Sequence, residues 1–437
     1  MKPFVAKYVF SLRGQIPLLG DKSIAHRAVI LSSISRGKTR IENFPSNEDC
    51  LATISVFRKL GIRIKKNNSV ITVFGEGLFG LSSPKGPIFI KESGTTLRLL
   101  LGVLAGQGFN VKLTVGKSLS KRPMLRVTKP LRLMRARISG QRKALDEYPP
   151  IMIRAAELEP VTYKIPIASA QVKSSILLAG LFAQGKTRVQ ELLQTRDHTE
   201  RMLRLFRADI KSAKHIVTIG GIKELVSPKR IYLPGDISSA AFFMVAAAIT
   251  PGSRIVINKV SLNPSRCGVI KVLRRMNAKI RVKKQANNIK GAEPAGDIII
   301  QSSILKATII RKEEVPSLID ELPVLMVAAS LARGKTVFEG VQELRVKETD
   351  RIRSMTENLR NMGASISLVK SGRQESIVIK GVKQLNGRQV RSFGDHRTAM
   401  SMVVAGLAAR GKTRIDDVSC VNKSFPGFIK VLRSITR

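Results

Sequence analysis

Two kinds of segment alternate along this chain. In the first kind, apolar residues lie on all sides of a predicted helix, as in SSILLAGLFA before Gly185 and MSMVVAGLAA before Gly411. A helix that is apolar all round is a buried helix. After the glycine, apolar and polar residues alternate as in a strand, for example in TRVQEL. The pattern predicts buried helices that lead directly into strands.

These helix exits also match a nucleotide-binding motif. GLFAQGKT at 180–187 and GLAARGKT at 406–413 fit the P-loop pattern G-x-x-x-x-G-K-[ST] at every position. A P-loop follows a strand and opens a helix, so that helix N–H groups point at the phosphate. Here the order is reversed. We therefore interpret the glycine as a left-handed helix C-cap and the lysine as a partner of the negative helix end.

The exit recurs along the whole chain, and its weakest copy is AGQGFNVKLTV. The glycines of the copies are Gly37, Gly108, Gly185, Gly252, Gly334 and Gly411. A second signature, typical of an amphipathic helix turning into a strand, lies between the exits. Its copies are FRKLGIRI, LRLMRARI, LRLFRADI, LRRMNAKI, LRNMGASI and a truncated LRSI. A spacing of roughly 70 to 80 residues indicates stacked repeats.

The repeats define a predicted fold class. We predict an α/β protein, a two-domain inside-out α/β barrel built from six repeats of a two-helix, short-strand unit, three per domain. The apolar helices belong inside and the sheets outside. The predicted crossings between the two domains are RGQIPLLGD near residue 17 and LPGDISS near residue 235, because they carry Gly and Pro. The predicted domains are residues 17–235 and residues 1–16 plus 236–437.

Composition narrows the class of protein. The 437 residues are 43% hydrophobic and 24% charged, which is typical of a globular chain. Lys and Arg number 76 against 31 Asp and Glu, and a net charge of +45 attracts anions such as nucleic acid, phosphorylated metabolites and acidic membrane surfaces. Cys50, Cys267 and Cys420 lack metal-site spacing and are expected to be free thiols. The longest apolar run, Ala240 to Ile249, is too short to span a bilayer, and we expect a cytoplasmic protein.

Cations stand where the buried helices begin. Ser, Thr and Asp at these positions are ordinary N-caps, but capping does not explain the cations in the first turns, which oppose the helix dipole. The cations in question are Lys22, Arg27, Arg98, Lys173 and Arg397. They are explained if an anion docks between them and the helix N–H groups. We therefore expect both halves to turn helix N-termini toward one positive cleft that binds small anionic ligands.

Ten motifs, in order, give the chain a family resemblance. They are GDKSIAHR, SGTTLR, SLSKRPM, IASAQVKSSILLAGL, TRDHTERML, PGDISSAAFF, LIDELP, ELRVKETDR, GDHRTAMS and NKSFPGF. With these motifs the chain resembles the 5-enolpyruvylshikimate-3-phosphate synthase family over nearly its whole length. The resemblance implies transfer of the enolpyruvyl group of phosphoenolpyruvate to the 5-hydroxyl of shikimate 3-phosphate, with release of phosphate. It also implies a reaction that needs no metal or cofactor. We further expect a monomer without a specific nucleic-acid or membrane partner.

The resemblance also implies roles for particular residues. Phosphoenolpyruvate is expected to contact Lys22, Gly94, Arg122, Gln171, Arg351, Arg397 and Lys423. Shikimate 3-phosphate is expected to contact Lys22, Ser23, Arg27, Ser169, Ala170, Gln171, Asp320 and Lys347. Asp320 is the expected base on the 5-hydroxyl, Glu348 the expected proton donor to the methylene carbon, and Lys22 a second acid or base. Without the motifs, the favoured interpretations are that Asp320 caps a helix, that Glu348 pairs with Lys347 or Arg351 at a surface, and that Arg27 is a solvated helix residue.

The chain departs from the family pattern at a few positions. Glu92 stands where the family usually has Asn, and it either repels phosphoenolpyruvate or pairs with a nearby Arg. Glu343 replaces another frequent Asn, Leu19 and Asp21 replace a common Pro and Ser, and Lys117 replaces an Asp. Of the histidines, His198 and His396 are interpreted as hydrogen-bonding residues at helix starts, and His26 as a packing residue.

Two other functions compete with this interpretation. UDP-N-acetylglucosamine enolpyruvyl transferase shares the fold and the donor, but it carries a cysteine in the loop before its Arg-Pro motif, and the loop here is GKSLSKRPM. A nucleic-acid-binding protein is suggested by the charge. However, aromatic residues are 5%, Trp is absent, and the cations are not interleaved with stacking rings. We expect nonspecific polyanion binding at low salt as a side effect of the charge.

Overall fold

The structure is a computed structural model that describes residues 2–285, 291–372 and 374–437. Its α-helices are α1 Lys22–Ser33, α2 Glu48–Lys59, α3 Gly94–Leu104, α4 Leu125–Leu133, α5 Ala170–Gly180, α6 His198–Leu205, α7 Ile237–Ile249, α8 Gly268–Arg275, α9 Leu322–Ser330, α10 Arg351–Asn361, α11 His396–Leu407 and α12 Phe428–Ile435. Short 3-10 turns occur at Leu119–Lys121, Val315–Ser317, Gln342–Val346 and Ser419–Lys423.

The strands are short and lie between the helices. They are β1 Phe4–Lys7, β2 Arg13–Pro17, β3 Arg36–Glu42, β4 Arg63–Asn67, β5 Val70–Glu76, β6 Ile88–Phe89, β7 Val111–Thr114, β8 Arg137–Lys143, β9 Asp146–Arg154, β10 Thr162–Lys164, β11 Lys186–Gln190, β12 Ile210–Ala213, β13 Ile216–Gly220, β14 Arg230–Tyr232, β15 Arg254–Ser261, β16 Lys279–Lys284, β17 Ala295–Gln301, β18 Ile309–Ile310, β19 Lys335–Phe338, β20 Ser365–Ser371, β21 Gln374–Lys380, β22 Leu385–Asn386, β23 Gln389–Val390, β24 Ala409–Arg410 and β25 Lys412–Ile415. The chain is thus a mixed α/β protein.

The described residues divide into two compact units. The first unit consists of residues 19–233 together with 291–293, and the second of residues 2–18, 234–285 and 294–437. The chain therefore passes between the units after Leu18 and after Leu233, and it returns briefly to the first unit at residues 291–293. Each unit has its own hydrophobic core, made only of residues of that unit.

Six of the seven sheets in the described residues follow one plan, and the seventh is the parallel pair β22-β24. In the first unit the strand orders are β14-β3-β5-β4, β6-β7-β9-β8 and β10-β11-β13-β12. In the second unit they are β2-β15-β17-β16, β18-β19-β21-β20 and the smaller β23-β25-β1. In every case the first pair of strands is parallel and the remaining pairs are antiparallel.

The helices that are apolar all round form the core of each unit, as predicted. In the first unit these are α1, α3 and α5, and in the second α7, α9 and α11, with almost every residue buried. Burying an aliphatic side chain contributes about 1.5–3 kcal/mol, so these helices supply much of the free energy of folding. Since each helix begins at a fixed place in its unit, its polar first turn is positioned by the core.

The P-loop motifs are helix exits, as predicted. Helix α5 precedes Gly185 and strand β11 follows it, and Gly411 likewise lies between α11 and β25. Gly185 has φ +111° and Gly411 has φ +88°, a region that favours glycine. The C-cap assignment was wrong, because the caps are Leu181 and Ala408, and the glycines lie beyond them at the turn into the strand.

Positive φ values also occur at Gly37, Gly252 and Gly334. The weakest copy, Gly108, is not among the residues with positive φ, so the exit there uses a different turn.

The second sequence signature, in which an amphipathic helix turns into a strand, is explained by a hydrogen bond that the pattern did not predict. An arginine near the helix end donates to the carbonyl oxygen of a residue six positions further on, at the start of the next strand. The pairs are Arg58 with Ile64, Arg132 with Ile138, Arg274 with Ile280, and Arg360 with Ile366. In these four copies the arginine therefore fixes the turn from helix to strand, whereas in LRLFRADI Arg204 donates to Ser212 Oγ instead.

None of the helices in the described parts of the chain is both long and apolar enough to cross a membrane.

Candidate active site

The start of α1 carries the first group of predicted site residues. Asp21 caps the helix, since its carboxylate accepts from the Ile24 N–H at 3.0 Å. The departure from the family pattern at this position therefore still supplies a good N-cap. Lys22 follows as the first helical residue, and its ammonium lies 3.1 Å from the Asp49 carboxylate at the start of α2. Ser23, next along the helix, is half-buried.

Arg27 lies one turn further into α1 and is buried rather than solvated. Its Nε donates to Thr199 Oγ1 at 2.6 Å, one terminal nitrogen to Ser174 Oγ at 2.7 Å, and the other to the Ser23 carbonyl at 2.8 Å. Burial lowers the pKa of Arg27 to about 10, and the charge of Glu200 opposes this change. Arg27 is thus a charged group held inside the first unit by neutral acceptors.

The groups around Arg27 occupy only some of its N–H donors. Ser174 Oγ donates to the Ala170 carbonyl at 2.6 Å, so the hydrogen between Ser174 and Thr199, 2.6 Å apart, belongs to Thr199. A guanidinium has five N–H donors. Among the described residues, the three bonds of Arg27 leave one N–H on each terminal nitrogen. Charged N–H donors of this kind suit a carboxylate or phosphate.

The start of α5 places three predicted residues beside α3. Ser169 is the N-cap and Ala170 the first residue of the helix. Gln171 accepts from Arg98 at 2.8 Å and donates to Thr95 Oγ1 at 3.0 Å. The amide of Gln171 is therefore oriented by the first turns of α3, which also carry Gly94.

Gly94 and Arg122 lie close together in the first unit. A Cβ atom added to Gly94 would stand 3.2 Å from a terminal nitrogen of Arg122 and 3.3 Å from one of Arg98. Both distances are shorter than ordinary van der Waals contacts. Two guanidinium groups thus lie at the N-terminus of α3, where the helix dipole also favours an anion.

Lys173 does not fit the sequence expectation for a ligand-binding cation. It is fully buried, with its ammonium 2.9 Å from Glu191 and 2.6 Å from Glu200. Burial alone would lower the pKa of Lys173, but the two carboxylates raise it. Burial also raises the pKa of Glu200 despite its lysine partner. Lys173 is therefore a structural ion-pair residue, and the expectation that an anion docks on it was wrong.

The second unit contains a compact ion-pair network around Arg351, the first residue of α10. Its guanidinium lies 3.0 Å from Asp395, 2.5 Å from Glu348 and 3.4 Å from Asp320. Burial by itself disfavours the charge, but the three carboxylates raise the pKa of Arg351. Glu348 is thus an ion-pair partner of Arg351 within this network, and both predicted acid–base carboxylates share one arginine.

Arg397 joins the same network from the start of α11. It donates to the Asp320 carbonyl at 2.8 Å, and its Nε lies 3.5 Å from the Asp320 carboxylate. Asp395 caps α11 by accepting from the Arg397 N–H at 2.7 Å and the Thr398 N–H at 3.0 Å. One carboxylate therefore fixes both the helix start and the Arg351 side chain.

The remaining predicted residues of the second unit lie next to this network. Burial lowers the pKa of Lys347, with the charges of Asp320 and Glu343 opposing the change. Glu343 lies 3.9 Å from Lys347, so the replacement of the usual Asn introduces an ion-pair partner there. Lys423 is the last residue of the 3-10 turn Ser419–Lys423, which packs against α11.

Cysteines and histidines have structural positions. The three cysteines are free thiols, and burial raises the pKa of Cys267 to about 11 and of Cys420 to about 12. His198 and His396 are the first residues of α6 and α11, and His198 Nδ1 lies 2.6 Å from Glu293. In the described residues, no group of three or more His, Cys, Asp or Glu side chains could hold a metal ion.

Comparison with known proteins identifies the family of the chain that carries this arrangement of cations and carboxylates. The family model described as EPSP synthase (3-phosphoshikimate 1-carboxyvinyltransferase) matches residues 8–432. The chain belongs to the EPSP synthase family. Among the other members of the EPSP synthase family, the 3-phosphoshikimate 1-carboxyvinyltransferase of Geobacter sp. strain M21 is 46% identical over 437 residues and covers 100% of both chains. The protein of the same name from Desulforamulus reducens is 45% identical over 428 residues and covers 98% of each.

Solved structures of EPSP synthase have the same fold as this chain. An EPSP synthase structure from Acinetobacter baumannii is 41% identical, with a TM-score of 0.87. The match covers 100% of this chain and 98% of that one. The two-unit mixed α/β fold is therefore shared with EPSP synthase structures.

Sequence reasoning identified most cations of the candidate site in both units but, apart from Glu348 beside Arg351, not their partners. Missing were Asp49 beside Lys22, Ser174 and Thr199 beside Arg27, and Asp395 beside Arg351. Thr199 lies in TRDHTERML and Asp395 in GDHRTAMS, two of the ten motifs, whereas Asp49 lies outside all of them. The motifs therefore contain part of this signal, but the pairing of their residues with distant cations follows only from folding.

Proposed function

We propose that this chain transfers the enolpyruvyl group of phosphoenolpyruvate to the 5-hydroxyl of shikimate 3-phosphate and releases inorganic phosphate. Membership of the EPSP synthase family and full-length relatives named 3-phosphoshikimate 1-carboxyvinyltransferase support the activity. The structural observation that carries the assignment of residues is the pairing of Asp320 and Glu348 with the single buried guanidinium of Arg351.

The substrates determine which side chains are needed. Each carries a phosphate and a carboxylate, and they repel each other unless cations hold them in position for reaction. We assign Lys22, Gly94, Arg122, Gln171, Arg351, Arg397 and Lys423 to phosphoenolpyruvate. We assign Lys22, Ser23, Arg27, Ser169, Ala170, Gln171, Asp320 and Lys347 to shikimate 3-phosphate. The two N–H groups that remain on Arg27 are the donors that a carboxylate or phosphate of this substrate requires.

The chemistry is an addition followed by an elimination. Asp320 takes the proton of the 5-hydroxyl as its oxygen bonds to C2 of phosphoenolpyruvate, and Glu348 gives a proton to the methylene carbon. In the second step a base removes a proton from the new methyl group. The double bond then re-forms, and phosphate leaves with the electrons of its C–O bond. Lys22 is the second candidate for one of these proton transfers.

Arg351 links substrate binding to these steps. The donor carboxylate and Glu348 compete for the same guanidinium, since Glu348 lies 2.5 Å from it. Binding of phosphoenolpyruvate to Arg351 thus releases Glu348 from its ion pair and makes the carboxyl group available to the methylene carbon.

A phosphate-release assay with both substrates tests the proposal. The wild type should release phosphate without added metal, in the presence of a chelator. Lys22→Ala in the first unit, and Asp320→Ala and Glu348→Ala in the second, should each lower kcat by at least about a hundredfold, as for removal of a catalytic acid or base. Loss of activity from both units also tests our proposal that both serve the same reaction.

A matched control is Glu357→Ala, which removes an exposed carboxylate of α10 paired with Arg353. It should keep nearly full activity, because its ion pair is at the surface. Phosphate release with UDP-N-acetylglucosamine in place of shikimate 3-phosphate would overturn the assignment. So would full activity in the three catalytic variants.

Three finer points belong to the same proposal. We propose a monomeric, cytoplasmic enzyme without a specific nucleic-acid or membrane partner. We also propose that each domain, residues 17–235 and residues 1–16 plus 236–437, is an inside-out barrel of three repeats. The common strand order of the sheets supports the repeats. Light scattering during gel filtration tests the monomer, since a mass near twice 48.0 kDa contradicts it.

A further inference from the structure

Glu92, which stands where the family usually has Asn, has a defined structural task. It lies in the loop between β6 and α3, two residues before Gly94. Its two carboxylate oxygens accept from separate backbone groups, Oε1 from the Ser118 N–H at 3.2 Å and Oε2 from the Leu119 N–H at 2.7 Å. These N–H groups begin the 3-10 turn Leu119–Lys121, and a carboxylate is favourable there. Glu92 is therefore bonded to the turn through both of its oxygens.

Gly116 provides the space that Glu92 occupies. A Cβ atom at Gly116 would lie 2.2 Å from Glu92 Oε1, a distance that real Cβ atoms do not show, so the Glu92 side chain would have to move. The Gly116 N–H donates to the Lys91 carbonyl at 2.7 Å, and its carbonyl accepts from the Ser120 N–H at 2.9 Å. The turn thus surrounds the carboxylate, and Glu92 and Gly116 depend on each other.

The turn ends at Arg122. The Arg122 N–H donates to the Leu119 carbonyl at 3.0 Å, so the backbone position of Arg122 follows from that of Leu119. The Arg122 guanidinium in turn lies 3.2 Å from the place of a Cβ at Gly94. An unbroken series of contacts therefore leads from the Glu92 carboxylate to the guanidinium at the start of α3.

We propose that Glu92 is a positioning residue that holds Arg122 for the donor substrate. The inference rests on the proposed function, since Arg122 is assigned there to phosphoenolpyruvate. Glu92 does not need to touch the substrate, because its oxygens are occupied by the turn. Of the two expectations from the sequence, repulsion of phosphoenolpyruvate and pairing with an arginine, neither describes this role.

The direction in which the KM for phosphoenolpyruvate changes in one variant separates positioning from repulsion. Glu92→Gln keeps the shape of the side chain but loses one of its two acceptor oxygens and its charge. If Glu92 positions Arg122, the KM for phosphoenolpyruvate rises, by about threefold to tenfold for the loss of one such hydrogen bond. If Glu92 repels the substrate, the same KM falls. The KM for shikimate 3-phosphate should stay within about twofold of the wild type.

Two further variants test whether the effect passes through the turn. Gly116→Ala removes the space for the carboxylate and should raise the KM for phosphoenolpyruvate as Glu92→Gln should, whereas Gly86→Ala, which meets no atom within 4 Å, should not. Because Glu92 acts through Arg122, the double variant Glu92→Gln, Arg122→Ala should have the KM of Arg122→Ala alone. Additive effects would contradict the proposal.

The outcomes separate this inference from the function on which it rests. An inactive wild type removes the proposed function, and a lowered or unchanged KM for phosphoenolpyruvate in an active Glu92→Gln enzyme removes only the positioning role. An equal rise in both KM values also removes it, because a general disturbance of the fold would act on both substrates. Circular dichroism of each variant establishes that it is folded before the kinetics are compared.

Discussion

At the scale of single residues, His26 shows how a polar side chain is built into the core. It is completely buried in α1, with Nδ1 2.7 Å from Thr53 Oγ1. Thr53 is 2.7 Å from Thr96, and Thr96 is 2.7 Å from Ser93, the N-cap of α3. The assignment of His26 to packing is thus confirmed, with the addition that it connects the starts of two site helices. Burial, together with the charges of Lys22 and Arg27, lowers its pKa to about 3.

This lowered pKa predicts a dependence of stability on pH. Below pH 6.5 the unfolded chain binds a proton at His26 that the folded protein does not take up until about pH 3. Stability from this residue is therefore complete at high pH and is lost as the pH falls from about 6.5 toward 3. Between pH 7 and pH 5 the loss should be about 2 kcal/mol. Urea unfolding at several pH values measures it.

The control for this prediction is a pair of substitutions. His26→Gln removes the titrating group, so its free energy of unfolding should fall less steeply over the same pH range. His215→Gln, at an exposed position, should keep the wild-type slope. Equal slopes in all three proteins would show that His26 does not cause the dependence.

At the scale of elements, α3 and α5 approach closely at a glycine. A Cβ at Gly102 in α3 would lie 2.1 Å from the Ser175 carbonyl oxygen of α5. This contact brings the first turn of α5, with Gln171, within reach of Arg98 and Thr95 in α3. Gly102 thus helps to position Gln171, although it is not itself one of the assigned site residues.

The close approach predicts that Gly102→Ala destabilises the protein. In an isolated helix the change is favourable by about 1 kcal/mol, but here α5 must move, and such overpacking costs about 1–3 kcal/mol. Denaturant unfolding of the variant measures the difference. Gly108→Ala is the matched control, since its Cβ meets nothing within 4 Å. A stabilised Gly102→Ala protein would contradict the helix contact.

At the scale of the whole molecule, the large excess of cations, with a net charge of +45, lowers the stability of the sheets. Cations stand directly opposite each other on neighbouring strands, for example Lys335 and Lys380, Lys7 and Lys412, and Arg13 and Arg254. Like charges in this position are destabilising, by roughly 0.2–1 kcal/mol for each pair.

This repulsion predicts that salt stabilises the protein. Raising NaCl from about 10 mM to about 200 mM shortens the Debye length from about 30 Å to below 10 Å and should raise the melting temperature. Lys380→Glu, which places a carboxylate opposite Lys335, should show a smaller rise. A melting temperature that falls with salt would mean that attractive ion pairs outweigh the repulsion.

The sequence predicted the helices and strands well, because their signals are local. The buried helices, the strand after each Gly-Lys-Thr and the capping residues depend on residues a few positions apart. The C-cap assignment of the glycines failed because the helices end before them, at Leu181 and Ala408. The role given to Lys173 failed for another reason, since Glu191 and Glu200 lie 18 and 27 positions further on and their approach to Lys173 follows from folding.

The sequence by itself determined the segments that are buried, the residues that begin the helices, and, through its ordered motifs, the family. The tertiary structure alone decided the partner of each charged group. Arg27 is held by Thr199, 172 positions away, and the Glu92 carboxylate by N–H groups 26 and 27 positions away. The physical reason is that a motif encodes a side chain and its local backbone, whereas the energy of a buried charge depends on which atoms folding places around it.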